Sequence, residues 1–527
     1  MRPIIFKFIL SLFLGVCAIS GANAIDLYVN TKTKQIYTEA GPDRERLGTF
    51  ERVEDRPVQA ATPAVLPPRN RNAELEIKAK ASRLAKKVDS LEKEILKSKN
   101  IKVKQLISKV DSLENKINES RNVKVTLDKK GLQFKSADDN FKFKLGGRIH
   151  TTYTANSGDN FFKGGAPAEA NDGAELRRAR LYFAGTFYKD WFTKLQVDFA
   201  DNQVGIKDMY LDYSGLGDFG LGKVKARLGN QKQAFSRELQ DSSNDMMFQE
   251  RSLMNVLNEP LVDRAIGFNI RSSGKKWTGQ VGVYGEPLTP NKTSMDEGWG
   301  TSARATFTPI VNNDNGVQKL VHLGVAGNYR KPSDAGHVSG VGPGVRYRHE
   351  TSHSTDLFPV DTGIISMVNN IKMIGLEANG VYGPFSVGGE YTHSWMDRKG
   401  GMDSLSFNGW YGEVSWALTG ESRSYKEGKF KRLQPAQKFN IANFGNGGWG
   451  AWELAARVAG VDMNDGAFKG GEMKNFTAAL NWYVNSNVRF MFGYDRILQI
   501  KDSPLVTASG GKPYGMSTFM FRSQIAF

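Results

Sequence analysis

The chain has 527 residues, a net charge of +16 and a mean hydropathy of −0.43. That is too polar for a bundle of membrane helices, each of which needs about 20 apolar residues in a row. Nor does the charge single out nucleic acid: residues 25–130 hold 24 Lys+Arg against 16 Asp+Glu, and residues 131–527 hold 45 against 39, so the larger region is only mildly basic.

The one long apolar run is at the amino terminus. Arg2 and Lys7 bracket the start of Ile4 to Ile19, and Ala22-Asn23-Ala24 supplies small residues for cleavage, so residues 1–24 read as a secretory signal peptide. A lipoprotein reading through Cys17 is the weaker one, because Val16 is bulky for the residue before a lipidated cysteine. Cleavage after Ala24 would leave no cysteine, and no disulfide chemistry is then needed in an oxidising periplasm. Residues 25–56 read as a small extended periplasmic module, with Leu27-Tyr28-Val29 and Gln35-Ile36-Tyr37 as its apolar pieces. Residues 57–72 form a Pro-rich linker containing Pro57, Pro63, Pro67 and Pro68.

Residues 73–125 have a helical pattern and a repeat. Lys87-Val88-Asp89-Ser90-Leu91-Glu92 returns as Lys109-Val110-Asp111-Ser112-Leu113-Glu114, and Ile101 and Val103 return as Val123 and Val125. The period of 22 is twice 11, which keeps an apolar seam nearly straight or drifting right-handed. So narrow a seam needs partner helices, which predicts an oligomeric coiled coil, most simply a trimer. Its lysines read as a solvated face; contact with anionic cell-wall polymer is the alternative.

From residue 131 to 527 the period becomes two. Leu145, Gly147, Ile149 and Tyr153 alternate with Lys144, Arg148, His150 and Thr152; Leu181 and Phe183 alternate with Arg178, Arg180 and Tyr182; Leu195 and Val197 alternate with Lys194, Gln196 and Asp198. The last residues continue the pattern: Phe519, Phe521, Ile525 and Phe527 share one face, with Ser523 the exception, and Arg522 and Gln524 share the other. Segments of about ten residues with one apolar and one polar face are what a tilted membrane strand requires. Gly158-Asp159, Tyr188-Lys189-Asp190, Gly215-Leu216-Gly217 and Asn485-Ser486-Asn487 mark turns between them. At about 24 residues per strand and connection, roughly sixteen strands fit. Seventeen segments can be drawn, and since the number should be even the surplus one is placed near residues 341–350. The expected fold class is therefore an all-β transmembrane antiparallel β-barrel of about 16 strands in an outer membrane, bathed in its lipid and preceded by the α-helical coiled coil. A soluble sandwich also alternates, but would not need so many strands or aromatics near both strand ends.

The inward face carries Lys144, Arg148, Arg178, Arg180, Lys194, Arg227 and Arg457. Arginine stays charged and offers five fixed donors, which suits oxyanions. A row of such groups gives a dehydrating anion successive replacement partners. Inward Asp198, Asp208 and Asp212 are counter-charges that would temper the field. Between Arg227 and Asp263 the alternation fails, which predicts a loop folding inward to narrow the lumen, with Lys232 as a point charge at its entrance. His349 and His353 sit four apart, but near a strand end and loop, and read as solvated rather than metal-binding. No Ser/His/Asp arrangement, phosphate-binding loop or nucleophile elbow is evident, so neither an enzyme nor a cofactor is expected.

These segments resemble the phosphate-selective porin O and P family over roughly residues 140–527. The carrying motifs are Leu145-Gly146-Gly147-Arg148, Glu175 to Tyr182, Leu228 to Phe235, Arg264-Ala265-Ile266-Gly267, Leu418 to Arg423 with Tyr425, Gly450 to Arg457 and Asn481 to Asn485. The resemblance implies a trimeric outer-membrane barrel with an arginine-lined lumen and an inward third loop bearing a central lysine. Arg148, Arg178 and Arg180 match lumen positions by motif, and Lys232 is the match for the lysine although it is out of phase with Arg227. Passive diffusion of phosphate or a related anion follows as the expected function. A general porin tethered through its coiled coil, or an oligosaccharide channel, is the alternative; inward Tyr182 and Tyr210 are too few for the latter's aromatic ladder.

Overall fold

The computed structural model describes residues 123–527 apart from short stretches (129–130, 158–160, 219, 221, 289–296, 315, 334–343, 356 and 443–447), together with three strands within 25–50, residue 80 and the helical stretches 82–90 and 108–114. The expected signal peptide and linker, and most of the repeat, lie outside these residues. In the amino-terminal unit, Ile25–Asn30 is the central strand of a three-stranded antiparallel sheet, flanked by Ile36–Tyr37 and Arg44–Phe50. Val123 and Val125, expected on the helical seam, instead stand in strand Val123–Asp128. The reason is local: each β-branched valine is followed by a polar residue, which is a two-residue period.

Sixteen antiparallel strands close a barrel. They are β1 (Phe141–Ser157), β2 (Gly173–Phe187), β3 (Trp191–Asp198), β4 (Gly205–Tyr213), β5 (Lys225–Lys232), β6 (Arg264–Ser273), β7 (Trp277–Tyr284), β8 (Trp299–Asp314), β9 (Val317–Lys331), β10 (Val368–Tyr382), β11 (Phe385–Arg398), β12 (Leu405–Ala417), β13 (Ala451–Asp465), β14 (Phe468–Tyr483), β15 (Val488–Lys501) and β16 (Ser517–Ala526). Among the described residues of 341–350 none belongs to a wall strand: Arg348–His349 pairs with Val360–Asp361 within the β9–β10 connection. His353 is exposed there, while His349 is half-buried rather than solvated.

The ring closes where β16 pairs with β1, from Ser517 opposite Ser157 to Ala526 opposite Arg148. Phe527 finishes the seam, its backbone bonding both ways with Gly147 at 2.9 and 3.1 Å. A side chain at Gly147 would meet the Phe527 ring and the Arg180 carbonyl at 2.8 Å, so only glycine lets the strand ends approach. Beyond the seam, a hairpin of Val123–Asp128 and Gly131–Ser136 pairs with the first residues of β1.

Alternation sorts the side chains as a lipid-bathed wall requires. Phe519, Ile525 and Phe527 are exposed outward, whereas Arg522 and Gln524 are buried inward. Aromatic pairs cluster at both strand ends, with Trp191–Tyr213, Phe385–Trp416 and Trp452–Trp482 at one and Trp299–Tyr329 and Tyr494–Phe519 at the other. Such girdles stand at membrane–water interfaces. The first end holds the short turns, among them 188–190, 274–276, 383–384 and 484–487, and the second holds most of the long loops. One long connection, 418–450, breaks the rule: it leaves the turn end between β12 and β13. Nothing in the sequence pattern singled it out.

The main apolar cluster lies inside the barrel. Leu239, Leu253, Met254, Leu257 and Leu261 of the β5–β6 connection pack against Tyr347, Leu357 and Ile365 of the β9–β10 connection and against Ile371, Met396, Phe407 and Met473 of the wall. Each such side chain contributes about 1.5–3 kcal/mol when fully buried. The inward loop is therefore held against one side of the barrel by the same force that builds a soluble core.

Candidate functional site

The inward loop, residues 233–263, contains helices α1 (Arg237–Gln240) and α2 (Asn255–Val262). Its polar anchors are buried carboxylates. Glu390 on β11 accepts from the Ser236 hydroxyl at 2.7 Å and from the backbone N–H groups of Arg237 and Glu238 at 2.9 and 2.8 Å, which satisfies the start of α1. Arg237 donates to Glu413 at 2.7 Å, to Asp241 at 3.1 Å and to the Tyr411 hydroxyl. Lys232 donates to the carbonyls of Leu239 and Asp241, the latter at 2.7 Å, and so holds the other end of the helix. Glu250 gathers Arg522 at 2.6 Å, Arg177 at 2.9 Å and Arg178 at 3.5 Å. Burial alone would raise the Glu250 pKa; these arginines override it and hold it well below the usual carboxylate range.

A water-accessible cavity of about 510 Å³ remains between this loop and the β1–β8 side of the wall. Among the described residues it is lined by sixteen lysines and arginines and only four acids, Asp208, Glu259, Asp263 and Glu427. Six of the eight cations expected from the sequence are brought together there: Arg148, Arg178, Arg180, Lys194, Arg227 and Lys232; Lys144 lies outside this cavity, on the lining of a neighbouring one. Arg457 is not there either. It sits behind the loop, bonded to Glu238 at 3.1 Å and stacked 4.3 Å from the Phe248 ring. Inward phase was read correctly, but the loop lies between Arg457 and the open space.

Several wall cations share a carboxylate with a neighbour. Asp208 takes Lys194 at 2.6 Å and Arg264 at 3.0 Å. Asp212 takes Arg227 at 2.6 Å and also Arg271. Among the described residues Asp198 pairs with one cation, Arg180, at 2.6 Å, and also accepts the Ala179 N–H at 3.0 Å. One negative charge spread over two cations leaves a surplus on each of the first two clusters. Arg148 pairs with no carboxylate among the described residues and donates to the hydroxyls of Ser242 at 3.2 Å and Ser243 at 2.8 Å.

Several lining residues escaped the sequence reading for structural reasons. Two residues of β2, Leu176 and Arg177, fall where β1 offers one, and this bulge brings Arg177 into the cavity beside Arg178. A second bulge, between Gln196 and Val197 of β3, adds Lys207 beside Asp208. Gly229, at φ +123°, breaks the phase of β5, and past it both Gln231 and Lys232 reach the cavity. Strict two-residue alternation would turn half of these side chains toward lipid.

Two further cations come from the connection at the turn end. Within 418–450, Tyr425–Lys426 and Lys429–Phe430 form a short hairpin lodged in the lumen. The Phe430 N–H donates to Asp241 at 3.0 Å, Lys431 reaches Asp245 at 3.2 Å, and Arg304 donates to the Gly428 carbonyl at 3.1 Å. Lys429 and Lys431 thereby line the cavity from below.

The family model for phosphate-selective porin O and P matches residues 143–496. The chain belongs to that family. Porin O of Pseudomonas aeruginosa is 26% identical over 395 residues, covering 69% of this chain and 85% of its own. A Caulobacter vibrioides protein is 26% identical over 408 residues, covering 75% and 76%. Among solved structures, an anion-selective porin from Comamonas acidovorans aligns with a TM-score of 0.43 at 12% identity, over 73% of this chain and all of that one. Vibrio cholerae OmpT with a deleted loop gives 0.44 at 10% identity, over 74% and 100%. The protein is thus an outer-membrane porin, a channel rather than an enzyme by family and fold.

Lys429 gives this porin a titratable element in its cavity. Among the described residues no carboxylate lies within ion-pair distance of it, and its pKa is pushed down to about 7, first by burial and then by Arg227, Lys431, Arg304 and Arg271. It is a cation below that pH and neutral above it. Chloride-over-potassium preference is therefore expected to fall as pH rises from 6 to 8, and Lys429→Arg is expected to flatten the dependence. A wild-type reversal potential that does not move across this range would show that Lys429 lies off the ion path.

Proposed function

We propose that this porin is an anion channel, that inorganic phosphate or a related oxyanion is its preferred solute, and that anions pass between the inward loop and the β1–β8 wall. The sixteen-to-four excess of cations over acids at that cavity carries the reading. Fixed guanidinium and ammonium donors replace an anion's water, while shared carboxylates keep any one site from holding too tightly. Arg148, Arg178, Arg180, Arg227, Lys194 and Lys232 are its wall contacts, with Asp198, Asp208 and Asp212 as counter-charges. The working unit is a homotrimer with the amino-terminal region in the periplasm. Supporting this, Val88, Val110 and Leu113 of the repeat are about half exposed in the single chain, as a seam awaiting partner helices would be.

Single-channel recording in planar bilayers tests the proposal. A salt gradient is expected to give an anion-selective reversal potential, and millimolar phosphate is expected to reduce the chloride current. Cation preference would overturn the anion reading. Chloride current indifferent to phosphate would leave a general anion porin.

A further inference from the structure

The outward face of the wall is not filled evenly. Near the turn end, strand register sets two rows of residues side by side across β8–β13. The row nearer the turns runs Lys319, Tyr382, Phe385, Trp416 and Leu454, each opposite the next. The row above it runs Ile310, Val321, Gly380, Val387, Val414 and Ala456. Bulk is concentrated in the first row, where the Phe385 and Trp416 rings stack at 5.8 Å. The second row drops to a hydrogen atom at Gly380 and a methyl group at Ala456, and beyond it stand Ala378, Gly389 and Gly412. A bulge in β8 between Phe307 and Ile310 brings Ile310 opposite Val321 at one end of the step. The result is an apolar groove of about 850 Å³ on the lipid side of the wall. That volume falls within the range of about 300–1,000 Å³ that small-ligand sites occupy.

Exposed apolar side chains are what any lipid-facing wall shows; this groove adds charge at its turn-end rim. The Lys319 ammonium stands 5.9 Å from the centre of the Tyr382 ring and 3.4 Å from Asp314, with both partners of that ion pair exposed. So exposed a pair is worth little and yields to a competing anion. Lys276, in the β6–β7 turn, donates to the Pro309 carbonyl at 3.0 Å, beside Ile310, and pairs with no carboxylate among the described residues. Two ammonium groups and one carboxylate therefore stand over an apolar groove edged by aromatic rings. An anionic phospholipid has the matching order: phosphate at the lysines, glycerol at the level of the rings, acyl chain below.

We propose that this groove holds one acyl chain of an anionic phospholipid, with Lys276 and Lys319 on its phosphate; with the turn end in the periplasm, as proposed above, that lipid belongs to the inner leaflet. Ordinary surrounding lipid exchanges without preference for headgroup or place, and native mass spectrometry of the detergent-solubilised porin separates the two cases. Phosphatidylglycerol added together with an equal amount of phosphatidylcholine is expected to be retained about tenfold better, since each lysine near an anionic headgroup contributes about fivefold and Asp314 opposes them. Lys276→Gln with Lys319→Gln is expected to bring that ratio close to one. Gly380→Leu is expected to lower retention of both lipids by filling the groove. The wall has room for it, because a Cβ there meets the Leu320 carbonyl and Val387 only at 3.7 Å, an ordinary contact. Val283→Leu, on the outward face of β7, is expected to change nothing. A phosphatidylglycerol carrying a diazirine on one acyl chain is expected to label residues 310–321 and 380–387 ahead of the rest of the wall. Equal retention of the two lipids by the wild type, or label spread evenly around the barrel, overturns the site. If Gly380→Leu instead splits the assembly into single chains, the groove is a contact between copies and the lipid proposal falls. Ion selectivity enters none of these readings, so the anion-channel proposal stands or falls separately.

Discussion

Arg237→Ala is expected to release the inward loop and raise single-channel conductance while reducing anion preference. Arg237 is only 4% exposed and is the cation at the centre of Asp241, Glu390 and Glu413. Removing one partner of such a buried cluster costs about 3–5 kcal/mol, because the remaining charges stay buried without compensation. Here the acids would repel one another across α1, where Glu390 also holds three loop donors. The barrel itself should persist, since its strand ladder closes without the loop. Two forces hold the loop, and this variant separates them. If conductance is unchanged, the apolar contacts of Leu253, Met254, Leu257 and Leu261 suffice and the charged anchor is dispensable. If it rises, the anchor sets the width of the opening.

The architecture was largely legible in the sequence because a lipid-facing wall imposes a simple rule at every position. Outward residues must be apolar and inward ones need not be. The closing strand, the inward loop and the surplus segment near 341–350 all follow from where that rule holds or fails. The site was legible only where it sits on regular strand. Arg148, Arg178, Arg180, Lys194 and Arg227 were found by phase; Arg177 and Lys207 were lost at bulges, because a two-versus-one register leaves no composition signal. Lys429 and Lys431 were lost for another reason. A connection at the turn end reads as an ordinary polar loop, and only the docking of Phe430 and Lys431 onto Asp241 and Asp245 shows that it enters the lumen. Lys232 was anticipated, but its two bonds to loop carbonyls depend on α1 ending beside it. Contacts between segments far apart in the chain have no period to betray them.

Asp208→Asn is expected to tighten phosphate binding and slow its passage. Asp208 is 7% exposed and is the carboxylate shared by Lys194 and Arg264 on the cavity wall. Asparagine keeps a carbonyl acceptor for one of them and removes the negative charge. Both cations then face the cavity with one more unit of net charge between them. At about 6 Å and an effective dielectric near 20, that unit would strengthen attraction for an anion by about 2–3 kcal/mol, and lumen water and salt should reduce the gain to about 1–2 kcal/mol. The half-blocking phosphate concentration should accordingly fall roughly tenfold. Conduction demands release as well as entry, so phosphate current at saturation should drop even as affinity rises. Asp198→Asn is the informative comparison, because among the described residues Asp198 pairs with one cation, Arg180, so its loss frees one cation instead of two. If neutralising Asp208 weakens block, the aspartate acts by positioning Lys194 and Arg264 toward the anion, and removal of its charge is the smaller effect. If block tightens and current falls together, the shared carboxylates are what make a strongly cationic cavity conduct.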